Sequence, residues 1–241
     1  MAQYVYGKNV VIQMLKDHKK IYELYVMENS KNDEIINLAK KDSVRTIFIS
    51  KKEMDKMVLD RHQGVIAKID DYKLYNLDEL IDSIDDDRLP LLVMLDGLED
   101  PHNLGAILRT CDAIGADGVI IMKNRSVTLS PTVAKVSVGA IDTVKVAQVT
   151  NLTTTIKDLK KRGYWVCGAD NNQALDYRSV DYNVPLVIVI GSEGFGISRL
   201  VKENLDYSVK LPMVGKISSL NASVATGVLL YQIYDKRHPL K

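Results

Sequence analysis

The chain has 241 residues, a formal net charge of +1 and 46% hydrophobic residues, which is typical of a soluble globular protein with one or two domains. No apolar run reaches the roughly 18–20 residues that a membrane-spanning helix needs, and the first residues turn polar too early for a signal peptide. Two cysteines, Cys111 and Cys167, are too few for a disulfide framework or a zinc site, so we expect a cytoplasmic protein with two buried thiols, no metal and no membrane contact.

Charge is unevenly distributed along the chain. Residues 1–70 contain 13 basic and 10 acidic side chains, residues 71–90 contain 2 and 7, and residues 91–241 contain 17 and 14. An acidic segment therefore separates two mildly basic ones, which a solvated surface explains about as well as a phosphate-binding surface. We predict a first domain at 1–72, an acidic linker at 73–90 that begins as a short amphipathic helix, and a second domain at 91–241.

Both domains alternate between the two types of secondary structure. In the first we predict helices at 9–16 and 33–41 and strands at 21–27, 45–49 and 65–69. In the second we predict strands at 91–95, 118–122, 144–147, 165–169, 185–190 and 208–211, with helices at 104–114, 152–161, 198–204 and 221–234. Continuously apolar strands between helices predict an α/β fold with a mostly parallel sheet.

Ligands of such sheets bind at the carboxyl ends of the strands, where three loops stand out. In the first loop, Asp100 or Asn103 is expected to cap the following helix, and Gly105 allows its first turn to approach another backbone closely. Arg109 lies further along that helix on an otherwise apolar face, where a guanidinium needs an acceptor. Without further context, a surface or ion-paired arginine is the simpler interpretation.

The other two loops are rich in glycine and in polar residues. Residues 191–196 follow the most apolar strand. Their glycine spacing does not fit the dinucleotide fingerprint, and the lysine of a Walker phosphate-binding loop does not follow. Glu193 in this loop is either a functional carboxylate or a charge that complements a helix dipole. Residues 211–223 contain Ser218, Ser219, Asn221 and Ser223, more polar residues than one helix cap requires.

Taken together, the three loops resemble the signature motifs of the SpoU branch of the SPOUT methyltransferases, the TrmH-like RNA ribose 2′-O-methyltransferases. The matching stretches are 103–110, 190–194, and 211–213 with 219–223, and residues 135–140 look like a further segment that lines the site. Residues 6–11 and 62–65 resemble the small ribosomal-protein-L30-like domain of the subgroup that modifies guanosine in bacterial 23S rRNA. Asp142 and Phe195 depart from the pattern: many relatives carry Glu at the first position and a basic or small residue at the second.

This resemblance implies a deep trefoil knot in the second domain, S-adenosylmethionine as methyl donor, and a homodimer in which the partner subunit completes each site. The implied cofactor-binding residues are Ile190, Gly191, Glu193, Gly194, Leu211, Met213, Ser219, Leu220 and Asn221. The implied catalytic set is Arg109, Glu193, Asn221, Ser219 and Asn103. Because an arginine side chain stays protonated in proteins, we expect Arg109 to position the RNA and to favour the developing alkoxide rather than to remove a proton.

The first domain is expected to recognise structured RNA, either 23S rRNA or a large-subunit assembly intermediate. Its candidate phosphate contacts are Lys8, Lys16, Lys19, Lys20, Lys51, Lys52, Arg61 and His62. Three alternatives stay open: a tRNA ribose methyltransferase of the same superfamily, an RNA-binding relative without catalysis, and a nucleotide-dependent oxidoreductase. The last is opposed by the glycine spacing.

Overall fold

The computed structural model describes residues 3–59, 61–85, 87–170 and 174–239. The chain divides into two compact units, residues 1–72 and 73–241. Among the described residues, none of the helices combines the length and the apolar character that a membrane span requires.

The first unit contains a four-stranded sheet in the order β1-β4-β2-β3. Strands β2 and β3 run parallel, and the other neighbouring pairs run antiparallel. Apolar residues at helical spacing, such as Val11 and Leu15, pack against Leu24 and Val26 of the sheet. The elements in chain order are β1 (Gln3–Tyr6), α1 (Lys8–Lys16), β2 (Ile21–Met27), α2 (Asp33–Lys41), β3 (Arg45–Ile49), α3 (Lys51–Met57) and β4 (Val65–Ile69).

The described part of the second unit contains a parallel seven-stranded sheet in the order β7-β6-β5-β10-β8-β11-β9. Its helices are α4 (Leu77–Ile81), α5 (Pro101–Ile114), α6 (Pro131–Ser137), α7 (Ala140–Thr143), α8 (Leu152–Lys161), α9 (Arg199–Lys202) and α10 (Ala222–Arg237). Its strands are β5 (Leu91–Asp96), β6 (Gly118–Met122), β7 (Val146–Val149), β8 (Trp165–Ala169), β9 (Leu175–Asp176), β10 (Leu186–Gly191) and β11 (Tyr207–Lys210). The prediction of an α/β fold with a large parallel sheet is confirmed; the knot stays a prediction.

The centre of this sheet is a topological switch point. From β5 the chain builds outward through β6 and β7, whereas β10 pairs with the opposite edge of β5. All six residues of β5 are buried, as expected for a strand covered on both faces. Ligands of open α/β sheets bind at the carboxyl ends of the strands at such a point, and there Asp96 of β5 pairs with Gly191 of β10.

The segment predicted as an acidic linker packs as part of the second unit. Its helix α4 begins at a capping box formed by Asn76 and Glu79, and Leu80 is fully buried in the core of the sheet. Tyr75 adds one residue of parallel pairing beside Ala147. The acidic side chains therefore lie on a segment that is anchored through its apolar residues.

Helix α5 shows how sequence details set the local packing. Asp100, rather than Asn103, caps the helix by accepting a hydrogen bond from the backbone N–H of His102 at 2.8 Å. At Gly105, a Cβ would lie 2.6 Å from the Cβ of Val136 on α6. The same Cβ would lie 3.1 Å from the backbone carbonyl oxygen of Val133, so the expected close approach to another backbone at Gly105 is confirmed.

Candidate active site

A cavity of about 550 Å³ lies at the carboxyl ends of β8, β10 and β11. Its walls come from the residues that follow these strands, mainly 169–170, 190–196 and 218–222. Apolar side chains, including Ile190, Leu211 and Met213, alternate with polar groups and exposed backbone. A cavity of this size and mixed character suits a ligand of nucleoside size.

The glycine loop after β10 is fixed by its own backbone. Ser192 and Gly196 exchange two backbone hydrogen bonds, of 3.1 and 2.9 Å. Any side chain at Gly191 would clash, because a Cβ there would lie 2.1 Å from the carbonyl carbon of Gly196. Beyond the loop, the backbone N–H of Ser198 donates to the buried carboxylate of Asp96 at 2.7 Å. The loop is therefore preformed.

Three of the predicted catalytic residues form one hydrogen-bonded cluster. The side-chain amide of Asn103 donates to Oε1 of Glu193. Nδ2 of Asn221 donates to the same carboxylate oxygen at 2.9 Å and to Oδ1 of Asn103 at 3.0 Å. The cluster joins residues far apart in sequence at one border of the cavity, and it orients the Glu193 carboxylate through two charge-assisted hydrogen bonds.

Asn221 also caps helix α10. Its Oδ1 accepts from the backbone N–H of Ser223 at 3.0 Å and from the Ser223 hydroxyl at 2.6 Å. The capping interpretation therefore accounts for the oxygen of Asn221, while its amide nitrogen serves the cluster. Ser219 is exposed and the adjacent Leu220 is half-buried, and both line the cavity.

Arg109 lies apart from this cluster. It is exposed on α5, outside the described lining of the cavity, and within the described residues it makes no hydrogen bond or ion pair. Glu193 thus pairs with two amides rather than with Arg109. An exposed guanidinium without an internal acceptor keeps all its donors for an external anion.

The structure bears on two expectations about contact residues. Residues 135–140 lie outside the described lining of the cavity, and the buried Ser137 donates to the carbonyl of Ala134 and accepts from the backbone N–H of Ile141; that this segment lines the site stays a prediction. The prediction that His62 contacts phosphate is wrong, because its side chain is only 7% exposed. Its Nδ1 lies 3.0 Å from the backbone N of Gly64, and its Nε2 lies 2.9 Å from Asp55, so the ring braces the turn before β4.

Three charged residues in or beside the cavity are missing from the predicted site, namely Asp96, Asp170 and Lys202. Asp96 holds the backbone beyond the glycine loop, while Asp170 pairs with Lys202 at the cavity edge. Asp96 and Asp170 could have been predicted from their positions in the sequence, since each comes at the carboxyl end of a buried strand. Among the described residues, no group of three His, Cys, Asp or Glu side chains is arranged to hold a metal ion.

The fold and the cavity define an α/β protein with a nucleoside-sized site at the carboxyl ends of β8, β10 and β11, beside the switch point of a parallel sheet. Residues 90–231 match the SpoU rRNA Methylase family, and residues 4–75 match the family described as RNA 2'-O ribose methyltransferase substrate binding. The chain belongs to the SpoU rRNA methylase family. It is accordingly an S-adenosylmethionine-dependent RNA 2′-O-ribose methyltransferase.

The relatives of this chain differ in how much of it they cover. A Bacillus subtilis protein named as a member of the TrmH family of tRNA/rRNA methyltransferases, YacO, is 48% identical over 98% of this chain and 97% of its own length. The crystal structure of an AdoMet-bound rRNA methyltransferase from Sinorhizobium meliloti is 25% identical, with a TM-score of 0.77 over 100% of this chain and 88% of that one. The TrmH/SpoU tRNA modifying enzyme of A. aeolicus is 31% identical, with a TM-score of 0.57 over 62% of this chain and 76% of that one.

Proposed function

We propose that the protein methylates the ribose 2′-hydroxyl of a guanosine in 23S rRNA, as a homodimer in the cytoplasm, where ribosomal RNA is made and assembled. The observation that carries the chemistry is the Asn103–Glu193–Asn221 cluster at the border of the cavity. It orients a carboxylate beside a nucleoside-sized space, which is what recognition of a ligand with polar ends requires.

The choice of ribosomal RNA rests on how much of the chain each kind of relative covers. The rRNA methyltransferase from Sinorhizobium meliloti aligns with the whole chain, including the first unit. The tRNA modifying enzyme of A. aeolicus aligns with 62% of it. Since the first unit is an RNA substrate-binding domain by family, its presence favours rRNA or a large-subunit assembly intermediate over tRNA. The guanosine itself comes from the resemblance of residues 6–11 and 62–65.

The cavity residues fit S-adenosylmethionine, which supplies an activated methyl group when bound. Ile190, Leu211 and Met213 would pack against its adenosine, and the backbone around Gly191 and Gly194 would follow its outline. Ser219, Leu220 and Asn221 would close the other side. These walls combine apolar side chains with polar groups. That combination suits a molecule with an aromatic base at one end and charged groups at the other.

The chain's own residues would act by positioning. Oε1 of Glu193 is held by two amide donors, whereas its Oε2 accepts no hydrogen bond within the described residues and is left for a ligand hydroxyl or ammonium group. Arg109, exposed and unpaired, would hold the RNA phosphate and stabilise the alkoxide that forms as the 2′-hydroxyl loses its proton. Such placement aligns the reacting groups and lowers the entropic cost of transfer.

The proposed homodimer is supported by helix α10. Val224, Val228, Tyr231 and Tyr234 recur at helical spacing on one side of it and are 38–55% exposed. An apolar stripe of this kind marks an interaction surface. We expect Tyr231→Glu to convert a dimer to monomer in sedimentation experiments, while the exposed control Leu175→Glu stays dimeric; a wild-type monomer at micromolar concentration would contradict the proposal.

The substrate is tested by methyl transfer from tritiated S-adenosylmethionine to separate pools of RNA. The pools are naked 23S rRNA, large-subunit precursors and tRNA, each from a strain that lacks this gene. Label at a single 2′-O-methylated guanosine of 23S rRNA is the expected result. Label in tRNA alone would overturn the choice of substrate, and cofactor binding without label in any pool would favour a relative that binds RNA without catalysis.

A further inference from the structure

Three large apolar side chains are exposed on the two loops that supply the walls of the cavity. Phe195 is 93% exposed, Val214 is fully exposed and Ile217 is 66% exposed. Phe195 lies in the glycine loop after β10, and the other two lie in the loop after β11. Exposed apolar groups that cluster on the rim of a binding site mark a surface that a partner covers.

Phe195 is presented on a rigid support. The backbone hydrogen bonds between Ser192 and Gly196 close the loop on both sides of it. The next residue, Ile197, is 2% exposed and anchors the chain in the core. When an aromatic ring on a preformed loop binds a ligand, the loop backbone needs little further ordering. Little of the binding free energy is therefore offset by lost conformational entropy.

The position of the ring limits what it contacts. Phe195 lines the cavity, and Glu193 of the hydrogen-bonded cluster lies two residues earlier in the same loop. A ribose within a helix has its base stacked and paired, so enzymes that act on single nucleotides extrude them and hold the base by stacking. Aromatic side chains stack on bases of any sequence.

We propose that Phe195 stacks on the base of the nucleotide whose ribose is methylated, and that Val214 and Ile217 form an apolar wall on the facing loop. This inference rests on the proposed function, because it requires an RNA nucleotide at the cavity. Phe195 is then a positioning residue: it holds the base so that the ribose stays beside the Asn103–Glu193–Asn221 cluster.

The test compares Phe195→Ala, Phe195→Leu and Phe195→Trp in the full-length protein. Trp165→Leu is the matched control, since Trp165 is a half-exposed aromatic at the amino end of β8, the end of the strand away from the cavity. The measurements are S-adenosylmethionine affinity by calorimetry, and kcat and KM with the RNA pool that the wild-type protein labels. A fragment of that RNA with 2-aminopurine at the mapped position reports stacking by fluorescence quenching.

We expect Phe195→Ala and Phe195→Leu to weaken RNA binding about tenfold, as loss of one base–aromatic stack does, with S-adenosylmethionine affinity unchanged. Phe195→Trp should restore both binding and quenching, and Trp165→Leu should behave like wild type. Equal RNA binding and quenching by Phe195→Ala and wild type would overturn the inference. So would a loss of cofactor affinity or of dimer formation in Phe195→Ala, since the ring would then cover the cofactor or a second copy. A wild-type protein that binds cofactor but labels no RNA would instead overturn the proposed function.

Discussion

At the scale of single residues, Asn103 shows why an amide stands at the centre of the site. Its nitrogen donates to Glu193 while its oxygen accepts from Asn221. A carboxylate in its place would lose the donor and place a second negative charge beside Glu193, and an apolar residue would remove both hydrogen bonds. Asn103 is 5% exposed, whereas Glu193 and Asn221 are exposed, so a buried amide holds two surface groups in place.

The two cysteines give a prediction with a defined pH dependence. Burial raises the pKa of the Cys111 thiol to about 12 and that of Cys167 to about 12. Because only the thiolate reacts, both thiols should be inert towards a disulfide reagent in the native protein at pH 8, with reactivity rising only at much higher pH. In denaturant, two equivalents should react at once. A fast-reacting thiol in the native protein would show that one of them is accessible.

The residues of the site were predictable to different degrees. Asn103, Glu193 and Asn221 follow from motifs whose spacing along the chain is distinctive, although their mutual hydrogen bonds depend on three loops that meet only in the folded sheet. The outward direction of Arg109 and the burial of His62 are set by tertiary packing. Residue type alone does not reveal either one.

At the scale of elements, long and regular patterns predicted structure well. Seven predicted ranges coincide with observed elements, namely 21–27, 33–41, 45–49, 65–69, 118–122, 152–161 and 165–169. Elements that the pattern missed are short or stabilised by context. Helix α6 begins at a Ser130 cap and packs against Gly105, and β9 has only two residues, which pair with β11.

The prediction at this scale concerns helix α4, which precedes β5. Leu80 is fully buried, and one of its methyl carbons would lie 2.5 Å from a Cβ at Gly118. We therefore expect Leu80→Ala to lower the free energy of unfolding of the second unit by about 2–5 kcal/mol. The exposed control Leu200→Ala should change it by less than about 0.5 kcal/mol. Urea unfolding followed by circular dichroism measures both, and equal stabilities would mean that this segment does not contribute to the core.

At the scale of the whole molecule, RNA recognition and chemistry are assigned to different units. The first unit has exposed cations whose surroundings differ. Lys16 and Lys20 pair with Glu34 and Asp70, whereas Lys51 and Lys52 are exposed at the start of α3 and form no ion pair within the described residues. The net charge of the chain does not reveal which of these lysines are paired, and the acidic residues of 71–90 also offset the positive balance of the first unit.

We expect the double variant Lys51→Ala/Lys52→Ala to weaken RNA binding and to reduce the slope of log affinity against log salt by about 1.5, the effect of losing two phosphate contacts. The matched control is Lys16→Ala/Lys20→Ala, which removes the same charge from ion-paired positions. Binding titrations at salt concentrations from about 50 to about 200 mM distinguish the two double variants. Equal losses in both variants would show that total charge, rather than Lys51 and Lys52, determines RNA affinity.

The most direct test of the account is a paired measurement on Arg109→Ala. Because Arg109 lies outside the cavity wall, S-adenosylmethionine affinity by calorimetry should stay within about twofold of wild type, while single-turnover methyl transfer to RNA should fall by about 100-fold or more, as when one transition-state donor is removed. Arg109→Lys should recover only part of the rate, since a lysine cannot reproduce the planar fork of the guanidinium. Near-normal methyl transfer by Arg109→Ala, with cofactor affinity intact, would contradict the assignment of catalysis to this arginine.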